Sequence, residues 1–346
     1  VAAPTAKDKA WAIFDRIVED AKVDGEYVNP WKSTATGIEY DADIDTLQRL
    51  LAVPLYLGAT VRSGVPALAL DVWLAFELRR AGFEPDAVWP RAEHPRILPG
   101  PVSALLRSLP KKQQAELRER LTRKTSIKHV TASSASILGK NYLKQVDVIM
   151  TDWATGPEVL ISTKRMDSSY GKNAPNRIEE SYGDAKNLRL RHPLAALGFL
   201  MAVRSDIRDE REELTFRWLN DLIQKLGREE DAYHATCFLL MEYGSDVTVP
   251  DEDQEEPDGI VEDAGTDADL DDHEEHVALS DREVEAALQS LPPVTVQTDA
   301  VDRRLLPDTF LRTLIERVLD ITPVTMHDKA RRRRTVALDQ AAGVRD

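Results

Sequence analysis

Between Val146 and Val203 the chain carries two short β-branched apolar runs, a helical repeat and a third apolar run in close succession, a pattern that suits helix-on-sheet packing. The runs Val146 to Met150 and Glu158 to Thr163 are separated by Thr-Asp-Trp-Ala-Thr-Gly-Pro, the pattern of a β-hairpin with a longer loop. A polar loop, Asp167 to Ala174, follows. Pro175 then stands near a helix start and Pro193 near its stop, with Ile178, Tyr182, Ala185 and Leu188 at helical spacing as the buried stripe. Leu197 to Val203 reads as one more buried strand.

Side chains on a strand alternate faces, so Ser162 and Lys164 share one face while Ile161 and Thr163 share the other. In an antiparallel hairpin the start of one strand lies beside the end of the next, which sets Asp147 opposite the stretch from Ser162 to Lys164. Glu179 and Glu180 fall in the first turn of the helix. At about 100° per residue Glu179 lies at the edge of the apolar stripe and is preferred for reaching the sheet, with Glu180 kept as the alternative. Two carboxylates from different elements suit a hard divalent cation such as Mg²⁺ or Mn²⁺, and a lysine on the same face suits a phosphoryl oxygen or an attacking water. Asp147 and Glu179 are the expected metal ligands; Lys164 and Ser162 complete the catalytic set. Asp152 reads as a turn residue in the hairpin loop.

The order Asp147, then Ser162-Thr163-Lys164 ending a second strand, then a helix and a further strand, resembles the PD-(D/E)XK nuclease superfamily of restriction endonucleases. Val146-Asp147-Val148-Ile149 followed by Ser162-Thr163-Lys164-Arg165 also resembles the Mrr-type members. Ser162 stands where that family places an acid; in one subgroup a glutamate from the following helix serves instead, and Glu179 resembles it. The resemblance implies magnesium-dependent endonucleolytic cleavage of DNA, in restriction or anti-phage defence. Glu77-Leu78-Arg79-Arg80 resembles the family's first core helix, although Glu77 itself is expected on the surface as a solvated carboxylate.

At 346 residues with 42% apolar composition the chain can bury a substantial core. Its single cysteine, Cys237, excludes an intrachain disulfide and a multi-cysteine zinc site and fits a reducing cytoplasm. The longest apolar run, Leu194 to Val203, is too short to cross a bilayer, so no membrane partner is expected. A net charge of −15 argues against a nucleic-acid partner until it is located: the stretch from Asp251 to His276 holds 14 acids and no Lys or Arg, leaving 46 acids against 45 bases elsewhere. That stretch is expected to be a flexible acidic linker.

From Arg107 to Lys128 eight basic residues face only two acids, Glu116 and Glu119. Lys111, Lys112, Arg123 and Lys124 are therefore candidates for the phosphate backbone of DNA, together with Lys172 and Arg177 around the polar loop. Helices are expected over Ala6 to Ala21, Asp43 to Leu57, Ala67 to Ala81, Thr215 to Leu226 and Asp231 to Tyr243. Ser280 with Glu283 marks a capping box, Asp308 a second helix cap, and Arg331 to Arg334 a basic, flexible tail.

The expected architecture is an α/β, restriction-endonuclease-like core, a mixed sheet flanked by helices, over 66–211, with a basic insertion at 102–130. Helical regions at 1–65 and 212–250, an acidic linker at 251–279 and a helical region at 280–346 complete it. Partners beyond DNA would be a second copy or defence-system subunits. The rival readings are a nuclease fold that binds DNA without cutting it, and a helical scaffold in which Asp147 and Lys164 form a structural ion pair.

Overall fold

A computed structural model describes residues 4–35, 37–123, 135–244 and 279–343. The chain opens with α1 (Ala6–Asp20), a hairpin of β1 (Trp31–Thr34) and β2 (Gly37–Tyr40), then α2 (Ile44–Tyr56) and α3 (Val65–Ala81). The edge strand β3 (Val88–Trp89), α4 (Gly100–Ser108) and α5 (Lys111–Arg123) follow, then a small hairpin, β4 (Ser136–Leu138) and β5 (Leu143–Gln145). The centre is β6 (Val148–Asp152), β7 (Gly156–Met166), α6 (Tyr170–Arg189) and β8 (Ala196–Arg204). Next come α7 (Glu213–Leu226), β9 (Ala235–Glu242), α8 (Asp281–Gln289), β10 (Thr295–Gln297), α9 (Pro307–Ile321) and α10 (Asp328–Gly343).

Six strands form one mixed sheet in the order β10-β9-β8-β7-β6-β3. β3, β6 and β7 are an antiparallel meander, β7, β8 and β9 run parallel, and β10 closes the far edge antiparallel. The result is the expected α/β class: a mixed sheet between two helical layers. One face packs on α3, α9 and the N-terminal helices through Val148, Ile161, Leu200 and Phe310; the other packs on α6 and α7 through Leu160, Phe199, Ile178 and Ile223. Each large apolar side chain withdrawn in this way contributes roughly 1.5–3 kcal/mol.

α3 is the axis of the first layer, buried nearly all round, and it ends at Gly82 with φ +104°. A Cβ there would stand 2.8 Å from the backbone nitrogen of Ala330, so the glycine both turns the chain and admits α10.

Several expectations need correction. The run from Ala235 to Met241, expected within a helix, is strand β9; Cys237 is a core thiol, but on a strand. Both faces of β9 are covered, so it shows a continuous apolar run from which periodicity cannot separate strand from helix. The sheet consequently runs through β9 and β10, past the expected boundary at 211. Trp31–Thr34 and Gly37–Tyr40 pair as antiparallel strands within a region expected to be helical. Glu77 is not solvated: it is fully buried, accepts from Arg80 at 2.7 Å, from the Tyr40 hydroxyl at 2.8 Å and from the Asp43 N–H at 2.8 Å. Burial pushes its carboxyl up from the usual glutamate range.

The N-cap of α9 is Leu306, and Asp308 accepts instead from the Ala42 N–H at 2.9 Å. The arginines at 331–334 lie on α10 and are anchored: Arg331 donates to Leu319 O at 2.8 Å and Arg333 to Tyr27 O at 2.6 Å. The capping box of Ser280 and Glu283 is formed as expected. The acidic stretch and Lys124 lie outside the described residues. Among the described residues no helix is long and apolar enough to cross a membrane.

Candidate functional site

The expected hairpin is present, with Val148 opposite Ile161, which carries Asp147 beside the stretch from Ser162 to Lys164. Asp147 Oδ2 accepts the backbone N–H of Thr163 at 2.7 Å. Thr163 turns to the opposite face and donates its hydroxyl to Asp71 of α3 at 2.7 Å, while Ser162 and Lys164 face α6, as strand alternation requires. Asp152 ends β6 and accepts the Ala154 N–H at 2.7 Å, the turn role expected of it.

α6 begins at Tyr170, five residues before Pro175, so most of the expected polar loop is the first turn and a half of the helix. Tyr170 and Ala174 are buried, and the Tyr170 hydroxyl donates to Asp167 O at 3.0 Å; these contacts extend the helix upstream despite a proline inside it. The buried stripe is centred on Ala174, Ile178, Ser181 and Ala185, with Tyr182 only half-buried. On that phase Arg177, Glu180 and Asp184 occupy one flank and Glu179 the other. Glu179 is exposed on the solvent side, contrary to the sequence preference, and Glu180 faces the sheet.

Glu180 lies amid three cations, 3.4 Å from Lys164 Nζ, 3.5 Å from Arg177 and 3.7 Å from Lys144 Nζ. One turn on, Asp184 accepts from Lys144 at 2.8 Å and from the Tyr142 hydroxyl at 3.2 Å. Burial and the adjoining Asp184 carboxylate raise the Tyr142 phenol. Tyr233, just before β9, reaches in from behind, donating to Ser181 O at 2.7 Å and hydrogen-bonding Ser162. Burial, then the charges of Asp184 and Asp147, push its phenol far up, so it stays protonated.

Beside these groups lies a cleft of about 310 Å³ lined by Asp147, Ser162, Lys164, Lys144, Arg177 and Asp184, with Pro66 and Ala67 of α3 as its other wall. Lys144, Tyr142, Asp184 and Tyr233 were not singled out in the sequence. Lys144 and Asp184 sit on elements whose polar faces look like ordinary solvated surface, and their convergence depends on how the β4–β5 hairpin meets α6.

The basic candidates divide. Arg177 is in the cleft, and Lys172 is exposed on the first turn of α6. Lys111 and Lys112 are exposed on α5, which packs on α4, and Arg118 ties α5 to Glu93 at 2.6 Å. Arg123 is the last residue of α5.

Among the described residues no group of three or more His, Cys, Asp or Glu side chains forms a ready metal cage. The acids lining the cleft, Asp147, Asp184 and Asp167, the last paired with Arg165 at 2.9 Å, and Glu180 beside Lys164 are all hard oxygen donors, and a magnesium-type ion needs only one or two of them because it keeps several waters. The donor chemistry fits such an ion, with Glu180 in the place expected of Glu179. Comparison of the chain with family models, with characterised proteins and with solved structures returns no match.

Proposed function

We propose that this chain is a Mg²⁺- or Mn²⁺-dependent nuclease that hydrolyses phosphodiester bonds in DNA, a member in structure and chemistry of the PD-(D/E)XK type, serving restriction or anti-phage defence. The observation that carries the reading is the convergence of Asp147, ahead of β6, and Lys164, on β7, on one cleft flanked by the acid-bearing α6. Support comes also from the sequence of elements: a first helix (α3), an antiparallel meander (β3, β6, β7), a second helix (α6) and a parallel strand (β8) follow the order that the resemblance implies.

In this reading Asp147 and Glu180 hold the cation, with Asp184 one turn beyond. A divalent ion held there supplies a polarised phosphoryl oxygen and an acidified water. The chain's own groups do the rest. Lys164 presents a compact charge to the phosphoryl oxygen on which negative charge develops. Arg177 and Lys144 exchange their loose contacts with Glu180 for the flanking phosphate oxygens. Ser162 donates to the Tyr233 oxygen, whose own proton goes to Ser181 O, and so presents acceptor lone pairs beside Lys164, and the exposed Lys111, Lys112 and Lys172 extend the electrostatic track along the backbone.

A second reading is a nuclease-fold protein that binds DNA without cutting it. Ser162 in the acidic position favours it, as does the engagement of Glu180 and Asp184 by lysines. Incubating plasmid DNA with Mg²⁺ or Mn²⁺ and the wild type, Asp147→Asn or Lys164→Ala separates the two. Nicked or linear product from the wild type alone supports the nuclease; retention on DNA with no product supports the binding module.

A further inference from the structure

On the opposite side of α3 from the cleft, between α1 and the loop after β3, lies a cavity of about 410 Å³ whose inner wall includes Arg79 and Arg91. Its volume falls in the range of small-molecule pockets, roughly 300–1,000 Å³. Of the other arginines around it, Arg16 on the lining pairs with Asp20 at 2.7 Å and Arg91 with Asp86 at 2.7 Å, while Arg96, outside the lining and 3.9 Å above the Trp11 ring, pairs with Asp15 at 2.6 Å. Arg79 is different. It is buried, its Nη2 and Nε donate only to the carbonyls of Val88, Pro90 and Pro85, and its Nη1 bonds no group among the described residues.

A buried guanidinium whose hydrogen bonds reach only neutral carbonyls is costly, since Asp15 and Asp86 act on it only at a distance; the carbonyls take Nε and both protons of Nη2, which leaves the two N–H groups of Nη1 for an acceptor. Of the four carboxylates on the lining, Asp15 pairs with Arg96, Glu19 with Lys22 and Glu93 with Arg118, each at 2.6 Å, and the charge of Asp281 acts on Arg16. Trp11, Val18, Val72 and Val284 supply an apolar lining beside it. We propose that this cavity binds a small molecule whose carboxylate or phosphate oxyanion pairs with Arg79 and whose apolar body packs on Trp11, Val18, Val72 and Val284. Burial, which holds the Arg79 pKa down to about 10, leaves the guanidinium charged at neutral pH and therefore able to take an anion.

The test is calorimetric titration of the full chain with benzoate, phenyl phosphate and the neutral analogue benzamide. Saturable binding of benzoate or phenyl phosphate, with benzamide weaker by about tenfold or more, is expected, since a charge-assisted hydrogen bond is lost; which anion binds identifies the head group. Arg79→Met removes the partner. Ala12→Trp fills the cavity from α1 and leaves the hydrogen bonds of Arg79 in place, so it decides the matter if Arg79→Met does not fold. Each weakens binding by about tenfold or more, and Lys164→Ala, in the separate cleft, leaves it unchanged. Equal binding of benzamide, anion binding that survives Ala12→Trp, loss of binding in Lys164→Ala, or no saturable binding of either anion overturns the proposal.

Discussion

Asp147 takes the backbone N–H of Thr163 at 2.7 Å, so a side chain ahead of β6 supplies the partner that β7 lacks once its ladder with β6 ends at Ile161. The same carboxylate that lines the cleft therefore also fixes the height of Ser162 and Lys164 within it. Removing it with Asp147→Ala strands a partly buried donor and costs about 1–3 kcal/mol by urea denaturation. Asp147→Asn keeps an acceptor oxygen and is expected to hold most of that stability while losing cleavage, which separates the structural role from the chemical one.

The two adjacent glutamates of α6 are expected to behave oppositely. Glu180 is within 3.4–3.7 Å of Lys164, Arg177 and Lys144, whereas Glu179 faces solvent. Glu180→Gln is expected to reduce cleavage by about a hundredfold or more, as the loss of a carboxylate that holds the cation does. Glu179→Gln is expected to leave the rate within about twofold, since a solvent-facing side chain contributes little. Single-turnover rates at saturating protein measure both.

How much of this was legible in the sequence follows from which signals are local. The hairpin, the shared face of Ser162 and Lys164 and the juxtaposition of Asp147 were readable because strand alternation and antiparallel pairing fix them within some 20 residues. The choice between Glu179 and Glu180 failed by one position. It rested on Tyr182 as part of the buried stripe, and Tyr182 is only half-buried; the stripe that packs is rotated toward Ala174 and Ser181. Lys144 and Asp184 were not readable, because they meet through a tertiary contact between the β4–β5 hairpin and α6. Glu77 misled for the reverse reason: its partners Tyr40 and Asp43 come from more than 30 positions away, and nothing local announces a buried network. β9 was mistaken for helix because a strand covered on both faces has no alternation to display.

Gly82 is where α10 docks on the end of α3. With φ at +104° and a Cβ position 2.8 Å from the Ala330 nitrogen, Gly82→Ala adds backbone strain to a backbone collision, and a loss of about 2 kcal/mol or more is expected. The chemical-denaturation midpoint measures it. Hydrogen exchange is expected to rise first in α10, whose docking the glycine permits.

Acid is expected to destabilise the fold through His234. Its Nδ1 accepts the Leu197 N–H at 2.9 Å, and burial, with Arg317 and Arg189 nearby, holds its pKa down to about 3; burial likewise lowers His94 to about 4. A histidine whose pKa is lower in the folded state binds its proton preferentially when unfolded. This contribution to stability is therefore complete above about pH 6.5 and is lost as pH falls from there toward 3. His234→Asn keeps an acceptor for Leu197 without titrating, and a shallower fall in the unfolding free energy between pH 6.5 and 4 is expected from a pH series of urea melts.

The most direct measurement of the central claim is single-turnover cleavage of modified and unmodified phage or plasmid DNA with Mg²⁺ or Mn²⁺, comparing wild type, Lys164→Ala and Glu180→Gln, each shown to be folded by circular dichroism. The account predicts product from the wild type that disappears in chelator and falls steeply in both variants, with DNA retention largely kept. Cleavage undiminished in both folded variants, or a wild type that neither cuts nor retains DNA at low salt, would contradict it.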